Sequence, residues 1–132
     1  MRALRESAPN LHDVSPDPTA WRWPDDLDGP KAAPESHRIL LEDRDVRVLE
    51  VIVRAGQREP EHTHRHPSVM VIDRAARLRY YAEAGPGVDL APPVDDARPR
   101  AELLAPEGPH SVENIDDHDY HAFRIEYTKR PG

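Results

Sequence analysis

Short runs of Val, Ile and Leu, each cut off by charged or turn-forming residues, pattern the chain from residue 37 onward. "HRILLED" and "DVRVLEVIVRA" flank an acidic turn and read as two strands. "SVMVID" and "RLRYYAE" repeat the pattern around "RAA", and "AELLAP", "HSVENI" and "YHAFRIEYTK" give three more. In the last, Phe123, Ile125 and Tyr127 share one face and Arg124 and Glu126 the other. That alternation predicts a half-buried strand with the aromatic face inward. Residues 84–99, "AGPGVDLAPPVDDARP", carry Gly-Pro-Gly and Pro-Pro and predict a loop without regular structure, of a length suited to a lid. Seven short strands with proline-rich turns and no helical period predict an all-β sandwich or barrel.

Before residue 37 the pattern is absent. Residues 1–36 hold six of the 15 prolines and read as an N-terminal arm, leaving 37–130 as the domain. Trp21 and Trp23 lie in that arm; disordered tails are poor in aromatics, so the pair is expected to dock. Docking across a homodimer is the expectation, with the barrel mouth as the other place for them. The net charge of −7 comes with no basic patch, which argues against nucleic acid as a partner. No apolar run approaches the roughly 20 residues of a membrane span, and the start lacks the apolar core of a secretory signal. With no cysteine, disulfides and thiolate metal sites are excluded, which fits a cytoplasmic protein.

The chemistry concentrates in "GQREPEHTHRHPSV". His62 and His64 are two apart, so on a strand both leave by one face; on a helix they would diverge by about 200° and share no metal. Forty-six residues after His64, "PEGPHSVEN" supplies Pro106, Gly108, His110 and Asn114.

These two stretches resemble the paired motifs of the cupin superfamily, G-x5-H-x-H-x3-4-E-x6-G and G-x5-P-x-G-x2-H-x3-N, over roughly residues 37–128. More narrowly, they look like small single-domain bacterial cupins, some associated with β-alanine breakdown. The resemblance implies a jelly-roll, or double-stranded β-helix, barrel with an N-terminal arm. It also implies a divalent metal on His62, His64 and His110. The departures are specific. Ser68 and Val69 stand where the glutamate should be, Ala75 and Ala76 replace the closing glycine, Arg100 replaces an opening glycine, and Gly108 is one residue too close to His110. A glutamate returned to position 68 is expected to restore a fourth ligand.

Three imidazoles suffice for a catalytic site with open positions, and they suit several metals. Iron(II) is favoured, with zinc, nickel or manganese behind it. The expected function is a metal-dependent enzyme of dioxygenase type acting on a small organic acid or chelating metabolite. The alternative is a non-catalytic binding module for a metabolite or protein partner. Strand parity makes Ser68 a pocket residue, and Tyr80 and Tyr127 are candidates to bring hydroxyls inward. His66 reads as a rim residue, Asn114 as a turn-former, and His37, His118 and His121 as structural or exposed.

Overall fold

The computed structural model describes residues 21–83, 85–92 and 99–129. Among these residues nine antiparallel strands form two sheets. The first has five strands in the order β1 (His37–Glu42), β2 (Val46–Val53), β9 (Tyr120–Tyr127), β4 (Ser68–Arg74) and β7 (Arg100–Leu104). The second has four, in the order β3 (His62–His64), β8 (Glu107–Asn114), β5 (Leu78–Ala82) and β6 (Val88–Leu90). Each apolar run of the sequence falls on a strand, because β-branched side chains at alternate positions fill a pleated, half-buried face.

The paired strands β2 and β9 show how the barrel is filled. Their register sets Val53 opposite Tyr120, Val51 opposite Ala122, Leu49 opposite Arg124 and Val48 opposite Ile125. Leu49, Val51, Val53, Tyr120 and Ala122 are buried together with Ile72 and Ala76, and Met70, Ala75 and Leu78 pack against them. One half of the interior is thus an apolar core. Further along the same two strands, Arg47, Arg124 and Glu126 are buried instead. The other half is a polar chamber, and that is where the histidines lie.

The alternation of β9 is therefore as read from the sequence, but its faces are exchanged. Arg124 and Glu126 point inward, at 3% and 0% exposure, while Tyr127 is 38% exposed. The charged face wins the interior because buried partners await it there, and buried charges that are paired are tolerated. Tyr127 accordingly brings no hydroxyl inward. A second correction concerns residues 84–99, where Val88–Leu90 forms β6 on β5, pairing Leu78 with Leu90 and Tyr80 with Val88. Residues 84 and 93–98 of that expected loop lie outside the described residues, as do residues 1–20 of the arm.

The described part of the arm crosses the polar end of the barrel. It makes a 3-10 turn at Asp25–Leu27 and a single turn of helix, α1 (Gly29–Ala32), with Pro30 in the first turn where its missing N–H costs nothing. Asp28 bridges to Thr63 of β3. Gly29 seats so closely that a Cβ there would stand 3.1 Å from His64 Cε1 and 3.3 Å from His37 Cδ2. Trp21 and Trp23 meet edge to face at 4.7 Å. A Cβ on Gly108 would stand 2.9 Å from the Trp23 ring. The tryptophans are thus anchored on their own barrel, and they lend no support to the expected homodimer.

Candidate metal centre

β3 is three residues long and fully buried, and it lies antiparallel to β8 with His62 opposite His110. His62 and His64 leave by the same face, as their spacing requires, and meet His110 inside the barrel. Ring centroids are 5.0 Å apart for His62 and His64, 4.4 Å for His62 and His110, and 5.3 Å for His64 and His110. His37, the first residue of β1, joins them at 4.5 Å from His62 and 5.1 Å from His64. All four side chains are at most 4% exposed.

Each predicted ligand has one ring nitrogen already committed. His62 Nδ1 lies 2.9 Å from the Pro60 carbonyl, and His110 Nδ1 lies 2.7 Å from that of Gly108. A carbonyl only accepts, so Nδ1 of both rings carries the proton and Nε2 keeps its lone pair. His64 Nδ1 is 3.2 Å from Glu126 Oε2, which fixes the same tautomer. Burial lowers His62 to about 4, and the neighbouring His110 adds to that effect. Burial likewise holds His37 and His64 well below the ordinary histidine range. His37, His62 and His64 are therefore neutral imidazoles at neutral pH, the form that binds metal.

Charged groups surround the rings in ordered pairs. Glu126 accepts from Arg47 Nε at 2.6 Å, and Arg47 in turn holds Asp28 of the arm by two 2.9 Å contacts. A chain of partners thus runs from the arm to His64. On the opposite side Arg124 donates from Nε to Ser68 Oγ at 3.1 Å, and its guanidinium stands 3.0 Å from Glu107 Oε1. Tyr80 donates to Glu107 Oε2 at 2.9 Å, and its ring is stacked on His110 at 5.3 Å. Burial opposes ionisation of Glu107, but His110 and Arg124 outweigh it and hold the carboxyl at about 2. Glu59 accepts from Ser36 at 2.8 Å and sits 3.6 Å from His62 Nε2. Burial pushes it up to about 8.

Two groups of side chains have ligand atoms within 4.8 Å of one another, His37 with His62 and His64, and His64 with Glu107 and His110. The predicted histidines are all present, divided between two groups that share His64. Imidazole and carboxylate donors of this kind fit a borderline divalent ion. Asp116, Asp117 and His118 form a third group, of which Asp117 is exposed and the other two partly buried, with Asp116 already occupied by the Arg77 and Asp117 amides. Ser68 is buried on the inner face, where parity put it, and Tyr80 brings its hydroxyl to Glu107. His66 lines a cleft rim beside Trp21, and Asn114 pins a turn through Val53, His118 and Asp116. His118 and His121 bond outside the chamber, to Ala75 and to Glu50 and Asp73. His37 is the correction among the histidines. It belongs to the cluster because the arm covers it, a tertiary fact with no local signature. Glu59, Glu107, Arg124 and Glu126 were also missed as site residues.

These shifts set a pH profile for the metal-free protein. Below the unfolded histidine value of 6.5 the unfolded chain takes up protons that folded His37, His62 and His64 refuse, so stability rises with pH up to that point. Above it, folded Glu59 keeps until about 8 a proton that the unfolded chain has lost, His118 and His121 are also raised by their hydrogen-bond partners, and stability falls. Glu59 and Glu126, both raised by burial, already pull downward from 4.5, but the three histidines outnumber them. The melting temperature in chelator is expected to peak near pH 6.5. A melting temperature that does not fall between pH 6.5 and 8 would contradict the raised Glu59.

An antiparallel two-sheet barrel with inward histidines on adjacent strands defines a small β-barrel protein whose interior side chains could hold a metal ion. Comparison with solved structures gives the fold its name. The chain is similar to a cupin domain from Bordetella pertussis Tohama I (TM-score 0.60, 19% identity, covering 70% of this chain and 92% of that one). It is also similar to a double-stranded β-helix protein from Klebsiella pneumoniae (0.52, 17%, covering 73% and 78%). A third likeness is an RmlC-like cupin family protein from Methanocaldococcus jannaschii (0.52, 11%, covering 69% and 77%). The chain has the cupin, double-stranded β-helix fold. No protein-family model and no curated protein sequence matches it. No helix among the described residues is long and apolar enough to cross a membrane.

Proposed function

We propose that this protein is a metal-dependent cupin enzyme. In it His62, His64 and His110 hold one divalent ion, iron(II) first and zinc, nickel or manganese after it. The observation that carries this is the set of Nδ1 contacts to Pro60, Gly108 and Glu126, which leaves three buried Nε2 lone pairs for a metal. Orientation of a ligating histidine through its other nitrogen is what metal sites commonly use. An ion bound there would supply Lewis-acid polarisation or dioxygen activation. The substrate is a small organic acid or chelating metabolite. A cleft of about 550 Å³ between Ala33–Ser36 and Gln57–Pro60 ends at Ser36 and Glu59, which touch His37, and supports a small ligand. Oxygenation is favoured over isomerisation because the carboxylates among the histidines are engaged by donors and cations, Glu107 by Tyr80 and Arg124, Glu126 by Arg47 and Glu59 by Ser36. The likeness to cupins associated with β-alanine breakdown stays one of sequence and names no substrate. A cytoplasmic homodimer remains part of the proposal; exposed Ile39, Leu40 and Leu41 on the edge strand β1 offer it apolar surface.

The second reading is a non-catalytic binding module. It is favoured by the near-complete burial of all four histidines beneath the arm. Anaerobic iron loading followed by oxygen uptake separates the two. The enzyme is expected to retain iron and to consume oxygen with at least one member of a panel of small acids, diketones and thiols. Tight iron with no uptake across the panel would favour the module.

A further inference from the structure

Two departures from the cupin pattern, the missing glutamate of the first motif and the shortened spacing of the second, meet at one point in space. Glu107 and His110 are three apart, so on an unbroken strand their side chains would face opposite ways. The β3–β8 ladder, however, pairs His62 with His110 and His64 with Glu107, so two steps on β3 answer three on β8. The extra residue is a β-bulge at Gly108–Pro109. Proline has no amide to give a ladder, and glycine admits the Trp23 ring, so both residues suit that place. The bulge turns Glu107 to the same side as His110. Its carboxylate comes within 4.8 Å of the ring nitrogens of His64 and His110.

The direction the first motif would use is meanwhile filled. Ser68 is fully buried and its Oγ accepts from Arg124 Nε. The same Arg124 stands against one oxygen of Glu107, and Tyr80 donates to the other. Each carboxylate oxygen retains a lone pair, and its orientation is fixed by two partners, as is usual for ligating carboxylates.

We propose that Glu107 is the carboxylate ligand of this centre, supplied by the second motif in place of the first, so that the bulge and the missing glutamate are one compensating change. The proposal rests on the metal-centre reading above and extends it to a ligand that the cupin pattern does not place there. The rival carboxylate is Glu59, which reaches His62 and His37 from a loop on the other side of the cluster.

Cobalt(II) is the probe, read by chelator competition for its dissociation constant and by its visible d–d bands for ligand geometry. Glu107→Gln is expected to weaken cobalt binding by more than the roughly 100-fold of an outer-shell loss and to change the bands, while Glu59→Gln, which removes a neighbour of His62 and not a donor, is expected to weaken binding about tenfold and leave the bands unchanged. Tyr80→Phe, which removes one partner of the carboxylate, is expected to weaken binding about tenfold. If Glu107→Gln does not fold, Tyr80→Phe decides, and an unchanged dissociation constant there would overturn the proposal. So would wild-type affinity and bands in a folded Glu107→Gln variant, or a loss confined to Glu59→Gln. A wild-type protein that takes up no cobalt would overturn the metal centre itself and this ligand with it.

Discussion

His64→Ala is expected to lose the metal and keep the barrel. His64 belongs to both groups of ligand atoms, so its removal breaks each of them, whereas loss of His37 or His110 breaks only one. Affinity should fall by more than the ten- to hundredfold typical of losing an outer-shell partner, because a donor itself is gone. The fold survives because the apolar core of Leu49, Val51, Val53, Ile72 and Tyr120 occupies the other half of the interior. Some stability is lost. Glu126 gives up its contact with His64 Nδ1 but keeps Arg47, and a lost buried hydrogen bond costs about 1–3 kcal/mol. Far-ultraviolet circular dichroism should match wild type while elemental analysis shows no retained ion. Wild-type stoichiometry and affinity in the variant would place the metal elsewhere.

Arg124→Met is expected to cause the largest loss of stability. Arg124 is 3% exposed and is the cation facing Glu107, whose carboxylate would otherwise have Tyr80 as its hydrogen-bond donor. Removing one member of a fully buried ion pair costs about 3–5 kcal/mol; the Glu107 side chain is 23% exposed, so the loss is expected toward the lower end of that range or somewhat below it. Methionine follows the shape of the arginine stem and isolates the charge as the cause. Urea denaturation of the metal-free protein should show a lower midpoint with an unchanged slope. Adding Glu107→Gln should recover a large part of the loss, since the orphaned charge is then gone. Additive losses in the double variant would mean that the two side chains do not act as a pair.

The strands were legible because the runs of Val, Ile and Leu match the pleat and because glycine, proline and acidic turns bound them. His62 and His64 were legible through their spacing, and His110 through the second motif. The faces of β9 were not, since hydrophobicity alone assigns Phe123, Ile125 and Tyr127 to the interior. What reverses them is a set of partners on other strands, Arg47 for Glu126 and Glu107 for Arg124, and a single strand carries no sign of these. Glu107 was hidden for a related reason. Strand parity sets it opposite His110, and only the bulge at Gly108–Pro109 undoes that parity. The irregular spacing before His110 was the available signal, visible in the sequence as a departure rather than as a ligand. Ser68 was placed correctly on the inner face, but its neighbour was not foreseen. A glutamate at that position would meet the Arg124 guanidinium before any metal, so the expected gain of a ligand there is redirected into an ion pair. The arm was expected to dock through its tryptophans, on a second subunit or over the barrel mouth. Its close approach at Gly29 and Gly108 lays it over its own barrel, again a contact between distant residues.

The central claim is that His62, His64 and His110, with Glu107 beside them, form a metal centre. The most direct measurement is the metal content of the full chain after anaerobic loading with iron(II) and removal of free ion, with a melting curve on the same sample. One ion per chain and a raised melting temperature are expected, since a ligand that binds only the folded state stabilises it. Protein that emerges with no bound ion and an unchanged melting temperature would contradict the claim.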